Sequence, residues 1–281
     1  MLAPALVGKT ESKPRARKRL MRRVLRSDPA QEYLVYLPPT VAEQSRLLVA
    51  VHGVSRNADQ QVRLLSAYCD QYGVVLVAPI FQAEDFPKYQ QLGRAGRGKR
   101  ADLALNAIVA EAAAVAGIEC ESFYVFGYSG GAQFAHRYLM AYPHRVAAAV
   151  VAGAGWYTLP NPTRRFPFGT RMSKSLTDLR FDAEEFLSVP VTVIIGAEDT
   201  ATAGVRSSPK LDSEQGTNRL DRARNWVTRM QAAAADHHMQ SRVSLVELPR
   251  SDHSFRRAVL RAGLGSQAFQ ALFGPAGQAV T

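Results

Sequence analysis

Ser129 stands in Phe123-Tyr-Val-Phe-Gly-Tyr-Ser-Gly-Gly-Ala132, a short apolar run that ends in a glycine-rich turn and continues into small residues. A serine hydroxyl is a weak nucleophile near neutral pH. It becomes reactive when a tight strand-to-helix turn raises it above a sheet, a base takes its proton and a carboxylate orients that base. The G-x-S-x-G pattern supplies such a turn, because glycines on either side of the serine let strand and helix approach closely. The pentapeptide alone arises by chance in about one chain in ten of this length. Its setting between a strand-like and a helix-like stretch is what points to chemistry.

In a nucleophile elbow of this kind the acid follows the nucleophile in the chain and the base follows the acid, each just past a strand. Asp199 ends Val191-Thr-Val-Ile-Ile-Gly-Ala-Glu-Asp, and His253 ends Leu245-Val-Glu-Leu-Pro-Arg-Ser-Asp-His, so both fall in that order. With six histidines the base can be chosen by elimination. His52 precedes the elbow, His136 lies inside the helix that follows it, and His144 sits in a Pro-His-Arg turn. His237 and His238 follow an alanine run at a helix end, an ordinary place for a polar or positive side chain. Only His253 follows the final strand. Glu198 is the neighbour that competes with Asp199, and the shorter side chain, later in the turn, is favoured. The oxyanion of a tetrahedral intermediate needs backbone donors already in place. Gly130, directly after the serine, offers one N–H; the loop Val51-His-Gly-Val54 offers a second at Val54, with His52 read as a brace for that loop.

The elements that must position these residues follow from the hydrophobic pattern. Strands are expected over 32–37, 46–51, 74–78, 123–126, 147–152, 189–195 and 243–248, and helices over 60–72, 101–116, 132–142, 219–235 and from 255 onward. Asn57 and Asp59 are the caps expected ahead of the first helix. Such alternation of buried strands with helices implies right-handed crossovers and a parallel sheet covered on both faces. Two stretches break it. Residues 81–100 are loop-like and basic, and 156–188 carry Pro160, Pro162 and Pro167 with little periodicity, as expected of a lid or pocket wall. Trp156, Tyr157 and Phe255 are the aromatic side chains expected to contact substrate, since they lie just past the strand after the elbow helix and just past the base.

Charge is uneven: of a formal net +11, residues 1–28 contribute +7, and 1–19 read as a solvated basic arm ahead of a single domain over 20–281. Gly93-Arg-Ala-Gly-Arg-Gly-Lys-Arg100 nearly fits a phosphate-cradling loop, but Arg100 replaces the hydroxyl that would hold Mg²⁺ and no strand leads into it. It reads as a solvated basic loop. The two cysteines, Cys69 and Cys120, are too few for a disulfide framework and suit small buried apolar positions in a reducing compartment. No apolar run reaches the length of a membrane span, and residues 2–7 fall short of a secretory leader, so a cytoplasmic location is expected. No HExxH or paired-cysteine pattern points to a metal.

The two most specific stretches, His52-Gly-Val-Ser-Arg-Asn-Ala58 and Gly127-Tyr-Ser-Gly-Gly131, resemble the α/β-hydrolase superfamily and, within it, esterases similar to polyhydroxybutyrate depolymerases, over residues 32–273. The resemblance implies an α/β-hydrolase fold with a mostly parallel eight-stranded sheet, acyl-enzyme chemistry on a small or medium carboxylic ester, and no cofactor. Lyases, peptidases and non-catalytic members share this scaffold. The contrasting expectation is a polyanion binder, with nucleic acid or an anionic surface held by the basic arm and loop through counterion release.

Overall fold

Apolar runs of five to seven residues build the centre of the molecule, in a computed structural model that describes residues 19–174 and 176–275. Strands β3 (Leu47–Val51) and β4 (Val75–Ile80) are buried at every position, as strands covered on both faces must be. Their side chains alternate between two cores: Leu47, Val49 and Val51 join one, Leu48 and Ala50 the other. The remaining strands are β1 (Leu20–Leu25), β2 (Asp28–Tyr36), β5 (Phe123–Tyr128), β6 (Val146–Ala152), β7 (Val191–Gly196) and β8 (Val243–Leu248). The sheet order is β1-β2-β4-β3-β5-β6-β7-β8. β2 runs antiparallel to β1 and to β4, and every pairing from β4 to β8 is parallel.

Helices cover both faces. On one lie α2 (Ala101–Ala116), α3 (Gly130–Ala141), α4 (Ala183–Ser188) and α6 (Arg219–Asp236); on the other α1 (Ala58–Tyr72), α7 (Phe255–Arg261) and α8 (Leu264–Phe273), with Tyr68 stacked on Phe269 at 5.3 Å. Asn57 caps α1 by accepting the Gln60 N–H, and Gly73 ends it in the left-handed conformation at φ 64°. None of these helices is long and apolar enough to cross a membrane. Ser129, Asp199, His253 and His52 all follow carboxyl ends of parallel strands, where the crevices of open α/β sheets form.

Several expectations are corrected. Leu20–Leu25, absent from the expected strands, is the edge strand β1, whose Arg22 pairs outward with Glu32 and Asp59. Arg19, counted with the arm, is seated on the domain: it donates to Leu37 O at 3.2 Å, pairs with Asp70 and lies 5.0 Å over the Tyr36 ring. The rest of the arm lies outside the described residues. The basic loop is not simply solvated, since Lys99 pairs with Asp28 and Asp85 and Arg100 with Asp102 and Asp178. The closing helix is two, α7 and α8, separated at Gly263 with φ 76°. Cys69 is buried, whereas Cys120 is only partly so.

The insertion over 156–188 is fastened at its base. His136 of α3 accepts the Thr158 N–H, and Trp226 of α6 donates to Thr158 O at 2.8 Å. The Gln215 side chain, from the short helix α5 (Pro209–Gln215), both accepts from Tyr157 N and donates to Tyr157 O. Trp226 is fully buried and stacks on Tyr157 at 5.0 Å. Trp226→Ala is therefore expected to cost about 3–5 kcal/mol of unfolding free energy in urea titration, and Trp226→Phe, which keeps a ring, markedly less.

Candidate active site

Two close approaches force the turn after β5. A Cβ on Gly131 would lie 1.9 Å from Val51 O, and one on Gly127 would lie 2.2 Å from Gly131 O, so β3, β5 and α3 meet at distances only glycine permits. Between them Ser129 adopts φ 56°, ψ −112°, a conformation that L residues rarely occupy and that a tight surrounding structure must impose. Its N–H donates to Ala152 O at 2.8 Å and its carbonyl accepts from Gln133 N, which fixes the strained residue from both sides.

Ser129 Oγ lies 2.9 Å from His253 Nε2, and His253 Nδ1 lies 2.7 Å from Asp199 Oδ2. The carboxylate accepts the Nδ1 proton, which leaves Nε2 as the acceptor for the serine hydroxyl. Asp199 is only 2% exposed, while Glu198 is exposed and uses its N–H on Ser251 O; the carboxylate that reaches His253 is that of Asp199. The second oxygen, Oδ1, accepts from Arg219 Nη1 at 3.3 Å, a buried ion pair that offsets the desolvation of the carboxylate. His237 instead sits 3.6 Å from Glu184, and His136 is buried with Nδ1 donating to Ala132 O.

The loop after β3 sits beside the serine, with the Cβ position of Gly53 3.5 Å from Ser129 Cβ and that of Gly130 3.1 Å from Val54 N. The N–H groups of Val54 and Gly130 have no protein acceptor among the described residues, so both are free to donate to an oxygen placed beside Ser129. Two clefts meet at Ser129, His253 and Val54. One of about 320 Å³ is walled by Gln60, Tyr128, Phe255 and Arg256; the other, of about 480 Å³, by Lys88, Gln133, Trp156 and Arg206. Phe255 and Trp156 thus stand on opposite sides of the serine. Tyr157, expected beside them, is not brought there: it is fully buried between His136 and Trp226, where it anchors the base of the insertion.

The family model described as esterase PHB depolymerase matches residues 31–213, about two thirds of the chain, including Ser129 and Asp199. The chain belongs to that family. Its members' chemistry makes it a hydrolase acting on ester bonds, on the α/β-hydrolase fold. Among solved structures, LpqC, a poly(3-hydroxybutyrate) depolymerase from Bordetella parapertussis, is 27% identical with a TM-score of 0.72, over 86% of this chain and 83% of that one. Poly(aspartic acid) hydrolase-1 from Sphingomonas sp. KT-1 has the same fold at 24% identity and TM-score 0.72, over 87% of this chain and 94% of that one. The fluorophosphonate-binding serine hydrolase FphF of Staphylococcus aureus shares the fold at 11% identity and TM-score 0.58, over 90% and 97% of the two chains. A comparison with curated protein sequences finds no match.

Within this family frame, sequence reasoning missed Arg219 and Tyr89. A signal for Arg219 was present: an arginine as the first residue of α6, at the positive end of a helix, opposes the helix dipole unless a carboxylate faces it. Tyr89 lies in the irregular 81–100 stretch, and its hydroxyl donates to His52 O at 3.0 Å. His52 accepts the Phe81 N–H at Nε2 and directs Nδ1 to Gly53 O, so the loop after β3 is braced by that stretch. Burial lowers the His52 pKa to about 4, and a proton on Nε2 would break the bond to Phe81. Because the unfolded imidazole titrates near about 6.5, the unfolded state binds more protons between those values. The contribution of neutral His52 is present in full above about pH 6.5 and is lost as pH falls towards 4, for a total of about 3 kcal/mol. Urea unfolding across this range should show the decline, with a shallower slope in His52→Gln.

Proposed function

We propose that this chain hydrolyses a small or medium carboxylic ester through an acyl-enzyme on Ser129, with His253 as general base and then general acid and Asp199 orienting it. The observation that carries the reading is the continuous chain of contacts Ser129 Oγ, His253 Nε2 and Nδ1, and Asp199 Oδ2 at 2.9 and 2.7 Å, beside two unpaired backbone N–H groups. Ser129 Oγ attacks the ester carbonyl carbon as its proton passes to His253 Nε2. The carbonyl oxygen, now an oxyanion, accepts from the N–H groups of Val54 and Gly130. Collapse breaks the carbon–oxygen bond to the alcohol, which leaves with the proton from His253. Water then attacks the acyl-serine, giving its proton to His253, and the second collapse releases the acid and returns the proton to Ser129. Throughout, the Arg219 guanidinium holds the Asp199 carboxylate in place to meet the transient imidazolium.

The two clefts that meet at the serine suit an ester, which extends on both sides of its scissile bond. Trp156 lies between two cations, with Arg137 at 4.0 Å and Arg206 at 5.1 Å from its ring, and forms a rigid apolar wall in the larger cleft.

Ser129→Ala should abolish labelling by a fluorophosphonate probe and lower ester turnover by at least about a thousandfold, and His253→Ala should lower it about as far, since the two act as one proton-transfer unit. Equal labelling of Ser129→Ala and the parent would refute the assignment. With 4-nitrophenyl esters of increasing acyl length, kcat/KM should fall beyond medium chains, and Trp156→Ala should move that limit to longer chains while phosphonate labelling persists.

A further inference from the structure

The cleft on the Trp156 side continues outward. Lys88, Gln91 and Arg206 line both the 480 Å³ cleft at Ser129 and an adjoining one of about 370 Å³, so the two form a groove that leads away from the nucleophile. Arg94, Arg165 and Lys174 line its outer half. Among the described residues, Asp and Glu side chains are absent from the lining of either half. Among the described residues, moreover, Lys88, Arg94, Arg165, Lys174 and Arg206 make no ion pair, although arginines close by do, Arg164 with Glu214 and Arg222 with Asp212. The cleft on the other side of Ser129 contrasts with this, holding Arg256 as its one basic side chain besides His253 among the described residues.

Five like charges along one groove repel one another and add nothing to the stability of the fold. What they supply is an attractive field for negative charge, concentrated by the low-dielectric walls. Arg206 is also held in place. Its guanidinium lies over Trp156 at 5.1 Å and over Phe168 at 5.3 Å, and its carbonyl accepts from the buried Arg222 at 2.9 Å. A guanidinium stacked on aromatic rings keeps its N–H fork free for a carboxylate, with less entropy to lose than an unstacked lysine.

We propose that the ester hydrolysed at Ser129 carries carboxylate on the portion that occupies this groove. Arg206 and Lys88 take the carboxylate nearest the scissile bond, and Arg94, Arg165 and Lys174 take further ones where the chain is longer. The inference rests on the esterase reading of Ser129 and narrows it from esters in general to anionic esters.

Two matched pairs of substrates test it. On the acyl side, the mono-4-nitrophenyl ester of octanedioic acid is compared with 4-nitrophenyl octanoate; on the alcohol side, the acetate of 6-hydroxyhexanoic acid with hexyl acetate. At about 50 mM salt the anionic member of at least one pair should be preferred about tenfold or more in kcat/KM, through KM, and the preference should shrink towards parity at about 500 mM. The double variant Lys88→Ala/Arg206→Ala should lose the preference at low salt. Replacing Arg94, Arg165 and Lys174 with alanine should leave most of it while weakening competitive inhibition by polyacrylate, which separates a polyanionic chain from a single carboxylate. Parity in both pairs, with neutral esters turned over and Ser129 labelled by fluorophosphonate, would overturn the anionic-substrate proposal alone. Absence of both turnover and labelling would overturn the esterase reading, and this proposal with it.

Discussion

Everything in the site depends on how closely one helix approaches two strands. At Gly131 the backbone of α3 comes so near β3 that a methyl group would lie 1.9 Å from Val51 O, and at Gly127 β5 meets the start of the same helix at a similar distance. That contact leaves no room for a relaxed connection, so the residue between takes φ 56° and its hydroxyl stands clear of the sheet. The strain at Ser129 costs of the order of 1–3 kcal/mol. It is sustained by the burial of β3, β4 and β5 between two helix layers, a far larger favourable term.

A second tier of polar burial sets the shape around the serine. Arg137 and Arg222 are fully buried and hold backbone carbonyls from other segments: Arg137, on α3, that of Gln90 as well as Gln133 in its own helix, and Arg222 those of Gly155, Arg206 and Gly216. Carbonyls that would otherwise lack donors in a dry interior are satisfied, and loops distant in sequence are fixed relative to one another. The wall that carries Trp156 is thereby tied to α3 beneath it and to α6 beside it. His52 does the same for the loop after β3 in neutral form, which is why burial of an ionisable ring is tolerated there.

Much of the arrangement was legible in the chain because it is local. The turn at Ser129, Asp199 and His253 are each announced by a few consecutive residues that follow an apolar run, and the helix over Ala101–Ala116 and the strand over Val243–Leu248 fall on their expected bounds. What escaped depends on partners far along the chain. Leu20–Leu25 has two adjacent arginines and reads as part of a charged arm, yet it pairs with β2 and turns Arg22 towards Glu32 and Asp59. The short helices α4 and α5, six and seven residues, are too brief to show a period inside an irregular stretch. Tyr157 looked like a substrate contact from its neighbour Trp156, but consecutive residues after a strand point to opposite sides, and only Trp156 faces the cleft.

The ends of β7 and β8 are sewn together. Ala197 N–H donates to Leu248 O and Glu198 N–H to Ser251 O, each at 2.9 Å, and the Cβ position of Gly196 lies 2.2 Å from Ser251 O. Asp199 and His253 consequently share one corner of the molecule, at the end of the sheet formed by β7 and β8, whereas Ser129 follows β5 nearer its centre, with β6 in between. A displacement of that corner as a unit would leave the carboxylate–imidazole spacing unchanged and alter the gap from imidazole to hydroxyl. The spacing most exposed to such a displacement is therefore the one from His253 Nε2 to Ser129 Oγ, and the corner acts as an arm whose reach, rather than whose internal geometry, sets that distance.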